Sequence, residues 1–342
     1  MIKVGIIGAG RIGKVHCESI MRYVKDATVK IVADPFLTEE TVEWARDLGI
    51  NEFTKDYRDV LGDKEIDAVL ICSSTDTHSK ISIEAIESGK HVFCEKPVDH
   101  DVKKILEVMK TLERHPEIKY QVGFNRRFDH NFKAARDAVK SGKIGELNVL
   151  KICSRDPAAP PVSYIKVSGG IFLDMTIHDF DMVRFMSDSE VEEVFAYGAV
   201  LVDEEIGKAG DIDTAVITMK LANGALAVID NCRRASYGYD QRVEAFGSLG
   251  QVAIKNDTDS SAIISDGTGV HAEKPLLFFL ERYMQAYVNE ISEFVDCVVK
   301  NKKPTADVVS GLKPVLIGLA ARKSVAEGRP VKIAEIAAEY GL

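Results

Sequence analysis

The sequence predicts an α/β N-terminal domain built on a doubly wound parallel sheet, followed by an α+β C-terminal domain with a large, mostly antiparallel open sheet. Three observations predict it. Up to about residue 123, short apolar strands alternate with helical stretches, the pattern of a parallel sheet covered by helices. A glycine-rich turn, GIIGAGRIG, joins the first strand to the first helix. Beyond residue 145, strand-like runs follow one another with short turns between them, which favours antiparallel hairpins.

Taken in order, the first strands are KVGIIG (3–8), VKIVAD (29–34), DAVLIC (67–72), HVFC (91–94) and KYQVGF (119–124). The segments between them, such as KISIEAIESGK, carry helical patterning, and Gly89 suits a helix stop. A helical segment near 129–141 precedes ELNVLKICS, VEEVFAYGAVLV, DTAVITMKL, GALAVIDNC, QRVEAFG and QVAIK. Asn223–Gly224 and the stretch from Gly247 to Gly250 are turn signals between strands of that set. Helices are expected near 277–300 and 307–327. The change in strand spacing puts a boundary near 123, so the expected domains are 1–123 and 124–342, consistent with roughly 150 residues per domain for a 342-residue chain.

Composition narrows the function classes. A formal net charge of −9 with interspersed signs disfavours a nucleic-acid partner, which would call for a basic stripe. No apolar run is long enough to cross a bilayer, and the first strand starts at Ile2, so a leader peptide is not expected. The six cysteines (17, 72, 94, 153, 232 and 297) include no CxxC pair and read as reduced, mostly buried thiols. A soluble, cytoplasmic protein acting on a small molecule is expected.

Gly8, Gly10 and Gly13 stand where a strand gives way to a helix, the context a bare GxGxxG lacks. Gly8 serves the tight turn, Gly10 the close approach of a pyrophosphate, and Gly13 close helix packing, while the helix N-terminus favours phosphate charge. Arg11 and Ile12 lie within the same turn and are counted with the cofactor residues. Asp34 follows 21 residues after Gly13, near the spacing of a ribose-binding acid in a Rossmann domain. Its charge would repel a 2′-phosphate by about 4 kcal/mol at ~4 Å and an effective dielectric of ~20, and Pro35 and Phe36 offer no clamp for one. The expected cofactor is NAD. A second cofactor-binding segment is SSTDTHS (73–79), at the carboxyl edge of the DAVLIC strand. Ser73, Thr75 and His78 are its candidates, while Thr77 equally suits a helix cap.

The stretch GGIFLDMTIHDFDMVRFM (169–186) reads as an apolar helix after its glycines, with Asp174, His178 and Asp181 at i, i+4 and i+7 on one face. An aspartate one turn from a histidine can orient an imidazole as a general base. The same pair also suits a satisfied core contact. No HExxH or Cys/His set accompanies His178, so no metal is expected, and no GxSxG elbow is present. Cys94, ending a buried strand, reads as apolar filler. Lys96 stands where the HVFC strand stops.

GIIGAGRIGKVH, EKP at 95–97 and the Asp174/His178 pair in DMTIHDFD resemble the glucose-fructose oxidoreductase and inositol dehydrogenase family, Gfo/Idh/MocA, over essentially the full chain. GFNRRFD (123–129), SRDPAAPP (154–161) and RRASYGYDQRVEAFG (233–247) resemble its inositol 2-dehydrogenase branch. The resemblance implies that Glu95 and Lys96 border the cofactor; it leaves the isomer of the Lys96–Pro97 bond open. It also implies that Lys96 hydrogen-bonds the reacting hydroxyl, that His178 acts as the base, and that Asp174 orients His178 or binds a neighbouring hydroxyl. Arg127, Asp156, Tyr237 and Tyr239 join Lys96, Asp174 and His178 as substrate-binding candidates for a small cyclic polyol; Arg126 alternatively forms a structural ion pair. The implied activity is NAD-dependent oxidation of myo-inositol, in a homotetramer assembled through the C-terminal sheet. Related substrates such as scyllo-inositol or sugars, an NAD-dependent glycosidase and a non-catalytic NAD-binding transcriptional regulator stand as alternatives.

Overall fold

A computed structural model describes residues 1–342. The chain divides into two compact units, 1–128 with 285–315, and 129–284 with 316–342. The sequence-based division at 123 is continuous, whereas these units interleave.

In the first unit, six strands form a sheet: β1 (Ile2–Ile7), β2 (Ala27–Ala33), β3 (Glu52–Thr54), β4 (Ala68–Ile71), β5 (His91–Glu95) and β6 (Tyr120–Gly123). Their order is β3-β2-β1-β4-β5-β6 and every pairing is parallel. This is the doubly wound arrangement in which the strand order reverses beside β1, so that ligand sites fall at the carboxyl edge of β1 and β4. Strands covered on both faces must be apolar throughout; Val4, Ile6, Leu70 and Phe93 are fully buried. The helix Met284–Val299 contributes Ile291, Phe294 and Val295 to the same core. The short strand β3 is absent from the sequence-based set of strands.

The second unit holds β7 (Leu147–Arg155), β8 (Val191–Ala199), β9 (Thr214–Leu221), β10 (Leu226–Cys232), β11 (Asp240–Gly247) and β12 (Gly250–Ile254). A separate hairpin joins β13 (Ile263–Asp266) to β14 (Gly269–Ala272). With β15 (Val331–Lys332), the large sheet runs β12-β11-β7-β10-β9-β8-β15. Every neighbouring pair is antiparallel except β7 with β10. The turn at Asn223–Gly224 joins β9 to β10, with Gly224 at φ 87°, a conformation glycine adopts without steric cost. Burial alternates along β9, as a half-covered sheet requires. The covered face packs against helices His130–Lys140 and Ile177–Ser187. No helix is long and apolar enough to cross a membrane.

Candidate functional site

In the first unit, the turn after β1 has the geometry its glycines predict. Gly8 sits at φ 103°, and a Cβ there would lie 2.6 Å from the Cys72 carbonyl and the Ser73 nitrogen. A Cβ on Gly13 would lie 2.0 Å from the Gly8 oxygen, whereas one on Gly10 would meet nothing within 4 Å. Gly10 therefore faces open space for a ligand, while Gly8 and Gly13 face protein. Gly10 caps the helix Arg11–Tyr23 without any side-chain hydrogen bond, and no acidic residue stands in the first turn. The helix start is thus left with free amide character, suited to phosphate. Arg11 is exposed and Ile12 half-buried there.

Asp34 follows β2. Its Oδ2 accepts a hydrogen bond from the Ala9 amide at 2.7 Å, and its Oδ1 accepts one from the Phe36 amide at 2.8 Å. The carboxylate is tied directly to the glycine turn, at the place a ribose-binding acid must occupy. These residues fit an NAD cofactor: an uncapped helix start, an open glycine and an acid beyond the second strand.

After β4, Ser73 and Thr75 are half-buried. Ser74 is the cap residue of helix Thr75–Glu87, so Thr77 is not the cap. It lies inside the first turn, where its hydroxyl donates to the Ser74 carbonyl at 2.7 Å and pairs with the Ser73 hydroxyl at 2.6 Å. His78 is 2 % exposed. Its Nδ1 lies 2.8 Å from the Pro97 carbonyl and its Nε2 3.0 Å from the Ser73 carbonyl. Both ring nitrogens are engaged with backbone, so this side chain joins two loops instead of presenting a free nitrogen to a ligand. Burial by itself lowers the imidazole pKa, but the Cys94 sulfur and the two carbonyls outweigh it and raise it to about 9.

Strand β5 ends at Glu95, which is buried, and Lys96 follows immediately, half-buried, with a cis bond to Pro97. Glu95 Oε1 lies 2.7 Å from His16 Nε2, and its Oε2 accepts the Lys96 amide at 3.3 Å. Arg127 lies in the buried 3-10 turn Asn125–Phe128 and donates through Nη1 to the Thr305 carbonyl at 2.7 Å. Part of its guanidinium is therefore structural.

In the second unit, the segment expected as one helix is two, Gly170–Asp174 and Ile177–Ser187. The Ile171 carbonyl accepts from both Met175 and Thr176 amides, at 3.0 and 2.9 Å. This slips the ladder by one residue. The Thr176 hydroxyl, 2.5 Å from Asn231 Oδ1, fixes the break. Asp174 and His178 are half-buried on either side of it, whereas Asp181 is fully buried. The single face of three residues is thus corrected to a pair at the break and a core aspartate. Asp179, also fully buried, accepts from Asn231 Nδ2 at 2.9 Å.

Asp174 is fixed by two residues that sequence reasoning did not assign. The Tyr164 hydroxyl donates to Oδ1 at 2.9 Å, and Arg233 Nη1 and Nη2 each donate to Oδ2 at 3.3 Å. Arg233 also lies 3.7 Å from Asp211, whose Oδ1 accepts the Ile171 amide at 3.1 Å. One guanidinium therefore braces the start and the end of the short helix. Arg233 opens the RRASYGYD stretch and was legible as part of a motif; an isolated Tyr164 carried no signal.

Asp156 is half-buried after β7, where its backbone oxygen accepts the Ala235 amide at 2.7 Å. The Tyr237 hydroxyl donates to Asp240 at 2.6 Å and accepts from Arg155 at 3.1 Å. Tyr239 is 7 % exposed, with its ring edge-on to Phe278 and Tyr283. Its packing is that of a core aromatic residue.

Residues 2–124 match the family model described as oxidoreductase family, NAD-binding Rossmann fold, and residues 132–253 match the GFO/IDH/MocA C-terminal domain. The chain is also 46 % identical to the myo-inositol 2-dehydrogenase of Thermotoga maritima, over 98 % of this chain and 99 % of that protein. The chain belongs to the GFO/IDH/MocA oxidoreductase family. A family relative from Rhizobium meliloti, inositol 2-dehydrogenase, is 44 % identical over 97 % of this chain and 99 % of its own length. Among solved family members, the scyllo-inositol dehydrogenase of Lactobacillus casei with bound NAD(H) and scyllo-inositol superposes with a TM-score of 0.90 at 31 % identity, covering 98 % of this chain and 99 % of that one.

Proposed function

We propose that this protein is an NAD-dependent dehydrogenase that oxidises a secondary hydroxyl of a cyclic polyol, with myo-inositol as substrate and 2-keto-myo-inositol (scyllo-inosose) as product. The observation that carries this reading is the near full-length likeness to the T. maritima myo-inositol 2-dehydrogenase, supported by the glycine turn, Asp34 and the placing of Lys96 directly after β5. Bound NAD supplies the acceptor for the hydride that leaves the carbinol carbon. In this reading, Lys96 donates a hydrogen bond to the reacting oxygen and His178 takes the hydroxyl proton, so that a ketone, NADH and a proton are formed. Asp174, anchored by Tyr164 and Arg233, orients His178 or accepts from a neighbouring hydroxyl. Polyol hydroxyls buried without partners would cost about 1 to 3 kcal/mol each. Asp156, Tyr237, Tyr239 and Arg127 are the further groups proposed to meet them.

The homotetramer is proposed to assemble through the uncovered face of the second sheet. The strand registers put Tyr197, Val216, Leu226 and Phe246 on one face, and each is at least 47 % exposed. Asp230, Lys220, Lys151 and Glu244 lie among them on the same face, and a sheet face that mixes exposed apolar side chains with charges is a surface a subunit contact can cover. The proposed compartment is the cytoplasm, and all six cysteines are free. Absorbance at the NADH band, screened across inositol isomers and aldoses with NAD and NADP, tests the activity. Net NADH from free myo-inositol is the expected result and separates a dehydrogenase from a glycosidase or a non-catalytic regulator; faster turnover of scyllo-inositol would move the substrate assignment.

A further inference from the structure

Three buried polar groups of the first unit meet beneath the end of β5 and have no part in the chemistry assigned above. His16, on the helix Arg11–Tyr23, is fully buried, and its ring makes T-shaped contacts with Phe93 and Tyr287. Glu95 is 9 % exposed, and Glu290, on Met284–Val299, is fully buried. One side-chain nitrogen or oxygen from each lies within 4.8 Å of the others. Both carboxyl oxygens of Glu290 are without a hydrogen-bond partner, as is His16 Nδ1. The cluster is shaped around Glu95: a Cβ on Gly123 would come within 3.0 Å of its carboxyl group.

We propose that His16 and Glu290 are positioning residues for Lys96, acting through Glu95. The proposal rests on the role given to Lys96 above. Two carboxyl groups this close in a dry site do not both ionise. Of the two carboxyl groups, Glu95 is the one with partners: its Oε2 accepts the Lys96 amide, and its Oε1 lies 2.7 Å from His16 Nε2, which donates to it in the tautomer this proposal assigns. Glu290, with no donor facing it, keeps its proton; burial first, then Glu95 and Glu293, push its pKa well above the carboxyl range. Cys72, directly after β4, stays a thiol, mainly through burial, with the charge on Glu95 adding to it. One negative charge is thereby held at a fixed place under the backbone of Lys96, and the helix that bears the glycine turn is joined to the residue that meets the substrate.

His16→Phe keeps a ring but removes the donor, whereas His16→Gln restores an amide donor. His16→Phe should lower kcat about tenfold, the worth of one charge-assisted hydrogen bond, with the KM for polyol changed far less. His16→Gln should recover most of the loss. The resonance of carbon-13 dimethylated Lys96, assigned by its disappearance in Lys96→Arg, should shift in His16→Phe and return in His16→Gln, which reads the lysine's setting without turnover. Infrared spectra at neutral pH should show a protonated carboxyl band that Glu290→Gln removes. If the wild-type protein turned over no polyol, the functional reading would fail while the resonance and the band still decided the positioning. An unchanged Lys96 resonance and kcat in His16→Phe, the absence of the band, or a stoichiometric metal ion released by chelator would each overturn the proposal.

Discussion

Arg233, 1 % exposed, directs two guanidinium nitrogens to the same oxygen of Asp174 at 3.3 Å. A buried cation that neutralises an aspartate at a helix C-terminus offsets the unfavourable meeting of a carboxylate with the negative end of the helix dipole. Breaking a buried pair from one side leaves the other charge uncompensated, at a cost of about 3 to 5 kcal/mol. Arg233→Met should therefore lose stability of that order in urea unfolding, and Asp174→Asn in the same chain should recover part of it. An additive double variant would mean that the two residues act independently.

The proposed base is tested by His178→Ala. It should lower kcat for polyol oxidation by roughly 100- to 10,000-fold, the usual worth of general acid–base catalysis, with NAD affinity nearly unchanged. Lys96→Ala should behave similarly. A folded His178→Ala protein with near-native turnover and an unchanged pH profile would move the base elsewhere.

Gly10 and Gly13 separate binding from folding. Gly13→Ala puts a methyl group 2.0 Å from the Gly8 oxygen, and Gly10→Ala puts one in open space. The first should lower Tm in the absence of cofactor. The second should leave that Tm within a degree or so of the parent, since an exposed change without contacts is nearly neutral, and weaken NAD binding in a fluorescence titration.

Cofactor choice is tested at Asp34. Asp34→Ser removes the charge opposed to a 2′-phosphate and also the acceptor for the Ala9 amide, so both cofactors should bind less well. The ratio of kcat/KM for NAD over NADP should nevertheless fall. An unmutated enzyme that prefers NADP would overturn the assignment.

His78 makes stability depend on pH. Its pKa is raised to about 9 in the folded protein, against about 6.5 in an unfolded chain. The folded state binds the proton more tightly, so the contribution is complete below about 6.5, declines as pH rises, and is absent above about 9. The difference in Tm between the parent and His78→Phe should narrow steadily across that window. A constant difference would show that the imidazole stays neutral throughout.

Most of the first sheet was legible because its strands are fully covered and therefore continuous apolar runs. Strand β3, with Glu52 exposed and Phe53 and Thr54 half-buried, is an edge of three residues and has no such run. The hairpin of β13 and β14 is exposed at every position, so no alternation marks it. The helix break at Thr176 depends on Asn231, 55 residues further along the chain, and local periodicity contains no trace of it. The same distance effect hid Arg233 as the partner of Asp174, 59 residues apart. Lys96, Asp174, His178 and Arg233 are visible as motif residues; Tyr164, and the pairing of Arg233 with Asp174, are not, because hydrogen-bond partners are chosen by topology.

The return of residues 285–315 to the first unit sets an order of events during synthesis. Ile291, Phe294 and Val295 leave the ribosome more than 150 residues after Phe128, at about 5 to 20 residues per second. For roughly 8 to 30 seconds at that rate, the nascent N-terminal sheet has an apolar surface still waiting for its cover. Chaperone dependence should therefore be greatest in that interval, and a nonsense codon just after residue 284 should yield aggregated chains, not a soluble cofactor-binding fragment.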